Sequence, residues 1–202
     1  MKVRWGGHLA YFYSVAAHCL RVAAVAKFLA TSRPEVLCNA QRERKLLATV
    51  ELYALLHDAH EAYLADLPRP VKQFAYWRIL KDDGSEEFRR WKELERKNDA
   101  AILAALELGP PEPWIKAVIS EADQLLLCME AEELFEYDHA GHRDAYGHDW
   151  DMPKLEITAE ISEAAVCHGL NDEYTMKDIK TIKRWWLQDV TNCLKIVKEI
   201  AA

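Results

Sequence analysis

Apolar residues recur at intervals of three and four over most of this chain, a spacing that suits helices and little else. From Ser14 to about Thr31 they fall at Val15, Ala16, Cys19, Leu20, Ala23, Val25 and Leu29, with Ser14 placed as an N-cap. A second helix is expected from about Asn39, charged from Gln41 to Lys45, then apolar through Leu46, Leu47, Val50, Leu52, Leu55 and Leu56. It ends among acids and histidines. Asp66-Leu67-Pro68-Arg69-Pro70 then interrupts helical geometry, because each proline lacks a donor and restrains the residue before it. After a polar turn at Asp82-Asp83-Gly84, Ser85 to about Leu108 reads as one long charged helix stopped by Gly109-Pro110-Pro111. The next runs from Glu112 or Pro113 to Phe135, with Val118, Ile119, Ala122, Leu125, Leu126 and Met129 on a broad apolar face. Two further helices are expected near Leu155 to His168 and Met176 to Ala201. With no persuasive strand-period segment and no repeat, the expectation is an all-α bundle of five or six helices and no sheet.

A length of 202 residues suits one domain, large enough to bury a core without disulfides or a structural metal, so a metal in it is free to be catalytic. The residues are half apolar and 29% charged, the balance of a globular protein. A formal charge of −7 disfavours a chain whose main task is to grip nucleic-acid backbone, while a small phosphorylated ligand needs only local cations. Cys19, Cys38, Cys128, Cys167 and Cys193 are scattered, without a Cys-x-x-Cys pair, which indicates a reducing compartment. The amino terminus has no apolar signal core, and no apolar run approaches the roughly 20 residues of a membrane span, so a cytoplasmic protein is expected.

The chemistry lies in polar residues embedded in apolar helix faces. An adjacent His57-Asp58 closes an apolar helix, and a buried ionised aspartate is costly without a cation or strong donors beside it. Alone, such a pair serves capping or an ion pair more often than a metal. His18 sits among small and apolar neighbours on the preceding helix, and Asp123 lies on a later one within Ser120-Glu121-Ala122-Asp123-Gln124. Two imidazoles and two carboxylates form a mixed nitrogen and oxygen donor set, suited to manganese, iron, cobalt or zinc rather than calcium.

The order His, His-Asp, Asp on successive helices resembles the HD-domain phosphohydrolase superfamily. Arg4-Trp5-Gly6-Gly7-His8, Tyr13-Ser14-Val15-Ala16-Ala17-His18, Leu55-Leu56-His57-Asp58-Ala59-His60-Glu61-Ala62-Tyr63 and Asp66-Leu67-Pro68-Arg69-Pro70-Val71-Lys72 are similar to its bacterial and phage deoxynucleotidase branch. The resemblance covers about residues 1 to 135 of a single HD-type domain over 1 to 202. The helices of 153 to 202 complete the bundle or form an oligomer contact.

The resemblance implies that His18, His57, Asp58 and Asp123 hold one divalent ion, cobalt, manganese, zinc or iron, with magnesium a further companion of phosphates. Bound there, an ion lowers the pKa of a water and polarises a phosphoryl oxygen. Glu61, three residues after Asp58, is expected on the same side as that carboxylate and is assigned the proton-carrying role. Asp66 and Trp5 are expected at the sugar or base, and Arg4 and Lys72 at phosphate. His60 is either a donor behind the site or an exposed side chain. The branch usually carries Glu immediately before the first metal-binding His and Ser after it; this chain has Ala17 and Cys19, which removes a carboxylate able to orient His18. Asp138, His139, His142, Asp144, His148 and Asp149 have ligand chemistry at irregular spacing and read as a solvated loop or lid.

The implied activity is hydrolysis of a deoxynucleoside 5′-monophosphate, with a deoxynucleoside triphosphate triphosphohydrolase on the same metal set as the alternative. A cyclic-nucleotide or signalling-nucleotide phosphodiesterase would need substrate contacts other than the Arg4-Trp5 and Asp66 motifs. A helical regulatory module retaining an ion for structure would have no use for Glu61. The implied partners are a deoxynucleotide and, through the apolar surface of Trp185, Trp186, Leu187, Val190, Cys193, Leu194, Ile196 and Val197, other copies of the chain. No nucleic-acid polymer or membrane is expected.

Overall fold

The computed structural model describes residues 13–37, 39–64, 67, 72, 74–135, 155–166 and 179–199. Over these the chain is all-α apart from one small hairpin. Helix α1 spans Val15–Ala30, and Ser14 caps it in extended geometry, its side chain accepting from the Ala17 amide. Helix α2 spans Ala40–Leu56, and the Asn39 side chain accepts from the Arg42 amide at 3.0 Å. Ser14 caps α1 as expected and α2 starts where expected; in both a short polar side chain satisfies an amide that has no helical partner. A short helix α3, Glu61–Leu64, follows the turn after α2.

Strands β1, Tyr76–Leu80, and β2, Glu86–Arg90, pair antiparallel with Tyr76 opposite Arg90 and Leu80 opposite Glu86. This corrects two expectations, the absence of any sheet and a helix beginning at Ser85. The cause is the turn. Gly84 adopts φ +80, and Asp83 accepts from both the Ser85 amide and its hydroxyl at 2.9 and 2.6 Å. The Lys81 amide meets the Ser85 carbonyl at 2.9 Å, so the chain reverses and the two flanks must pair. The charges at the start of the expected helix instead serve the hairpin, Glu86 meeting Arg78 at 2.7 Å.

Helix α4 therefore begins late and spans Trp91–Ala105; Glu107, at φ 59, takes the left-handed position that ends it. Helix α5 spans Pro113–Phe135, as expected, with proline in its first turn. Helix α6 is shorter than expected, Ala159–Ala165: Thr158 starts it late by accepting from the Ile161 amide, and Val166 leaves helical geometry at φ −82, ψ 60. Helix α7 spans Ile179–Glu199.

Helix α1 is the centre of the bundle, packed against α2, α5, α6 and α7. It is buried on nearly all sides, which explains its almost unbroken run of small and apolar residues. The apolar side of α7 belongs to the core: Ile182, Val190 and Cys193 are buried, and Trp185, Trp186, Leu194 and Val197 pack against the same cluster. No helix among the described residues is long and apolar enough to cross a membrane.

The end of α2 is held from two sides. The Trp186 indole N–H donates to the Leu55 carbonyl at 3.0 Å, and His57 Nδ1 meets the Ala54 carbonyl at 2.7 Å. Both carbonyls belong to the last turn, where helical amides run out; Ala54 also accepts from the His57 amide at 3.5 Å. Trp186→Phe keeps most of the packing and removes one donor, so it should lower stability by about 1 kcal/mol in urea unfolding. An unchanged midpoint would show that this bond contributes nothing.

Candidate functional site

Three helices deliver the four donors singled out by the sequence. His18 is in the first turn of α1, at its buried start, His57 and Asp58 follow the last residue of α2, and Asp123 lies midway along α5. His18 Nε2 is 3.1 Å from Asp123 Oδ1 and 3.8 Å from Asp58 Oδ2. His57 Nε2 is 3.3 Å from the same Asp58 oxygen and 3.9 Å from Asp123 Oδ1. The two imidazole rings stand 5.3 Å apart between centroids, inclined at 50°.

This arrangement suits a cation. Donors each about 2.0–2.2 Å from a shared ion lie roughly 3–4 Å from one another, which is the range of the separations above. Among the described residues His57 Nε2 is buried and makes no hydrogen bond, although its other nitrogen is bonded to the Ala54 carbonyl. An orphaned buried nitrogen aimed among carboxylates has the chemistry of a cation ligand. Burial disfavours a charged His57, but the Asp58 carboxylate and the Cys19 side chain outweigh it and hold the imidazole pKa well above the ordinary value. The site thus attracts positive charge, as proton or as metal. His18, His57 and Asp58 have donor atoms within 4.8 Å of one another, and so have Asp58, His60 and Glu61.

The turn from His57 to His60 sets the second of these groups. The Ala59 amide bonds to the Leu56 carbonyl and the Glu61 amide to the Asp58 carbonyl, both at 3.0 Å. These three-residue steps align positions i and i+3, which keeps Glu61 beside Asp58 although Asp58 lies outside any α-helix. Glu61 is buried, and its Oε1 is 3.2 Å from Lys72 Nζ. Lys72 is also 3.2 Å from Glu95 Oε1 on α4. His60 is buried rather than exposed, with Nδ1 2.9 Å from Asp99 Oδ1. Arg4, Trp5 and Asp66 lie outside the described residues, as does the segment holding Asp138, His139, His142, Asp144, His148 and Asp149.

Three acids in this region were not anticipated. Glu95 and Asp99 sit in a helix rich in charge, and nothing in their spacing distinguishes them from solvated residues. Glu130 carried a signal: it follows Asp123 by seven residues, about two helical turns, and is set among Leu126, Met129 and Ala131. It is fully buried, and its Oε1 lies 2.6 Å from His18 Nδ1.

The profile of the 5′-deoxynucleotidase YfbR-like family matches residues 2–133, a span that contains all four donors and Glu130. The uncharacterized protein YfdR of Escherichia coli strain K12 is 32% identical over 131 residues, which cover 65% of this chain and 53% of that protein. The chain thus spans about half the length of this curated relative. It belongs to the YfbR-like 5′-deoxynucleotidase family, a branch of the HD-domain hydrolases.

His60 gives the region a pH signature in the metal-free protein. Burial disfavours its charged form, but the Asp99 hydrogen bond and charge, with Asp58 and Glu95, raise its pKa above 6.5. Folding thus favours protonated His60. Its contribution to stability is full below the unfolded value and is lost as pH rises through the raised one. Asp99→Asn should cost about 1 kcal/mol near pH 6, discounted for the partial exposure of Asp99, and progressively less at higher pH. A cost independent of pH in urea unfolding would contradict this pairing.

Proposed function

We propose that this chain is a metal-dependent phosphohydrolase of 2′-deoxynucleotides, releasing inorganic phosphate from a deoxynucleoside 5′-monophosphate. The observation that carries the reading is the convergence of His18, His57, Asp58 and Asp123, with the buried His57 Nε2 aimed at the carboxylates and without a hydrogen bond among the described residues. These four residues hold one divalent ion of the manganese, cobalt, zinc or iron type. When bound, that ion supplies Lewis acidity toward the phosphoryl oxygen and toward water.

The chain's own residues supply position and protons. The oxygen of a water forms a bond to phosphorus as the P–O5′ bond breaks, and the departing 5′-oxygen gains a proton. Glu61 carries that proton or takes the one lost by the water. Its burial and its contact with Lys72 support the role, because a carboxylate fixed in orientation transfers a proton along a defined path. Arg4 and Lys72 bind phosphate, and Lys72 reaches it from its place between Glu61 and Glu95. Asp66 and Trp5 contact the sugar and base, a role supported by the resemblance of their motifs. Association into a homo-oligomer belongs to the same reading and is checked by sedimentation velocity.

Metal-stripped protein, reloaded with manganese or cobalt, should release phosphate from one or more of the four deoxynucleoside 5′-monophosphates. Deoxynucleoside triphosphates in the same panel read out the alternative, by release of triphosphate. Asp58→Ala should fall to background with every substrate. Glu61→Gln should lower kcat by about 10²–10⁴-fold while leaving metal affinity close to that of the parent. Undiminished activity in Asp58→Ala would overturn the metal-site assignment, and inertness toward every nucleotide while the ion still binds would favour a regulatory module.

A further inference from the structure

Helix α5 reaches His18 twice. Asp123 Oδ1 stands 3.1 Å from Nε2, and two turns later Glu130 Oε1 stands 2.6 Å from Nδ1. The ring is therefore gripped at both nitrogens by carboxylates of one helix. Glu130 and His18 are both fully buried, so water does not substitute for either partner. The Tyr13 hydroxyl donates to the same Glu130 oxygen at 2.6 Å. Burial, and then the neighbouring Glu130 charge, raise the Tyr13 pKa well above its usual value, so the hydroxyl keeps its proton and stays a donor.

Around this acid the seam between α1 and α5 is polar. Arg21, one turn beyond His18, is buried and donates from Nη2 to Glu133 Oε1 at 2.8 Å. Glu133 follows Glu130 by three residues, so the pair Arg21 and Glu133 repeats the spacing of the pair His18 and Glu130 one turn along. A buried acid whose only task was to join two helices would be served by Tyr13 and Arg21. The short contact to His18 Nδ1 adds something else: it decides which imidazole nitrogen carries a proton and which way the ring faces.

We infer that Glu130 is a positioning residue of the metal site, accepting from His18 Nδ1–H so that the Nε2 lone pair faces Asp58, His57 and Asp123. The inference rests on the proposed metal-binding role of His18 and goes beyond it. The residue immediately before His18 is Ala17, a buried methyl that cannot hold the ring. The carboxylate comes instead from α5, the helix that also carries Asp123. One helix thereby supplies an acid to each side of the same imidazole, and any shift of α5 along α1 moves both together.

The test uses the full chain, stripped of metal and titrated with manganese alone by calorimetry, beside His18→Ala, Glu130→Gln and Tyr13→Phe. Glu130→Gln is nearly isosteric and can still accept from Tyr13, so it isolates the carboxylate. Expected are tight binding by the parent, loss of binding in His18→Ala, and a Kd weakened about 10–100-fold in Glu130→Gln. Tyr13→Phe, which leaves the contact to His18 in place, should weaken binding less than Glu130→Gln. A folded Glu130→Gln that binds manganese within a factor of about two of the parent overturns the inference and leaves the functional reading standing. No binding by the parent overturns the functional reading and this inference with it.

A second measurement needs no variant and so covers a Glu130→Gln chain that fails to fold. In zinc-loaded parent protein, nitrogen-15 spectra should show His18 with Nε2 coordinated and Nδ1 protonated. A coordinated Nδ1, or an Nδ1 without its proton, overturns the inference.

Discussion

A fully buried imidazole has two nitrogens to satisfy, and the geometry of this protein follows from how His18 satisfies both. Its Nδ1 faces Glu130 and its Nε2 faces Asp123, so α1 and α5 are tied at a defined rise and rotation. Apolar packing alone would tolerate sliding between two smooth helices. The polar pair does not, because a step of one residue would leave a buried imidazole and a buried carboxylate without partners, each worth several kcal/mol. The core residues of α1, many of them alanine and valine, allow the close approach that this contact requires.

The other half of the site depends on the end of α2. Helix termini leave carbonyls unsatisfied, and here Ala54 and Leu55 are served by the His57 ring and the Trp186 indole. His57 is thereby fixed through Nδ1, which turns Nε2 toward Asp58 and Asp123. The same logic governs both histidines: one nitrogen is bound to the protein and the other is left for the site. For His18 the binding partner is a carboxylate, and for His57 a backbone carbonyl. The tightened turn through His60 then carries Glu61 to the same side, where Lys72 and Glu95 surround it.

Much of this was legible in the sequence because it is local. Ser14 announces its helix by capping chemistry, and the four donors stand out as polar residues on apolar faces. The hairpin was not legible, since the charged run from Glu86 to Arg90 satisfies helical pairing as well as strand pairing. What decides is the reversal at Gly84, a single turn whose consequences are non-local. Glu130 lay one step further off. Its position among apolar residues marked it as unusual, but only the packing of α5 against α1 reveals that it meets His18. Glu95 and Asp99 carry no local mark, because a helix rich in acids and bases looks the same whether one face meets solvent or a histidine.

The central claim is that His18, His57, Asp58 and Asp123 surround a single ion. It is tested most directly by anomalous diffraction from crystals grown with manganese. The account predicts one strong peak per chain within about 2.3 Å of His18 Nε2, His57 Nε2 and a carboxylate oxygen from each of Asp58 and Asp123. A peak bound elsewhere, or density at that position with no anomalous signal under saturating manganese, would contradict it.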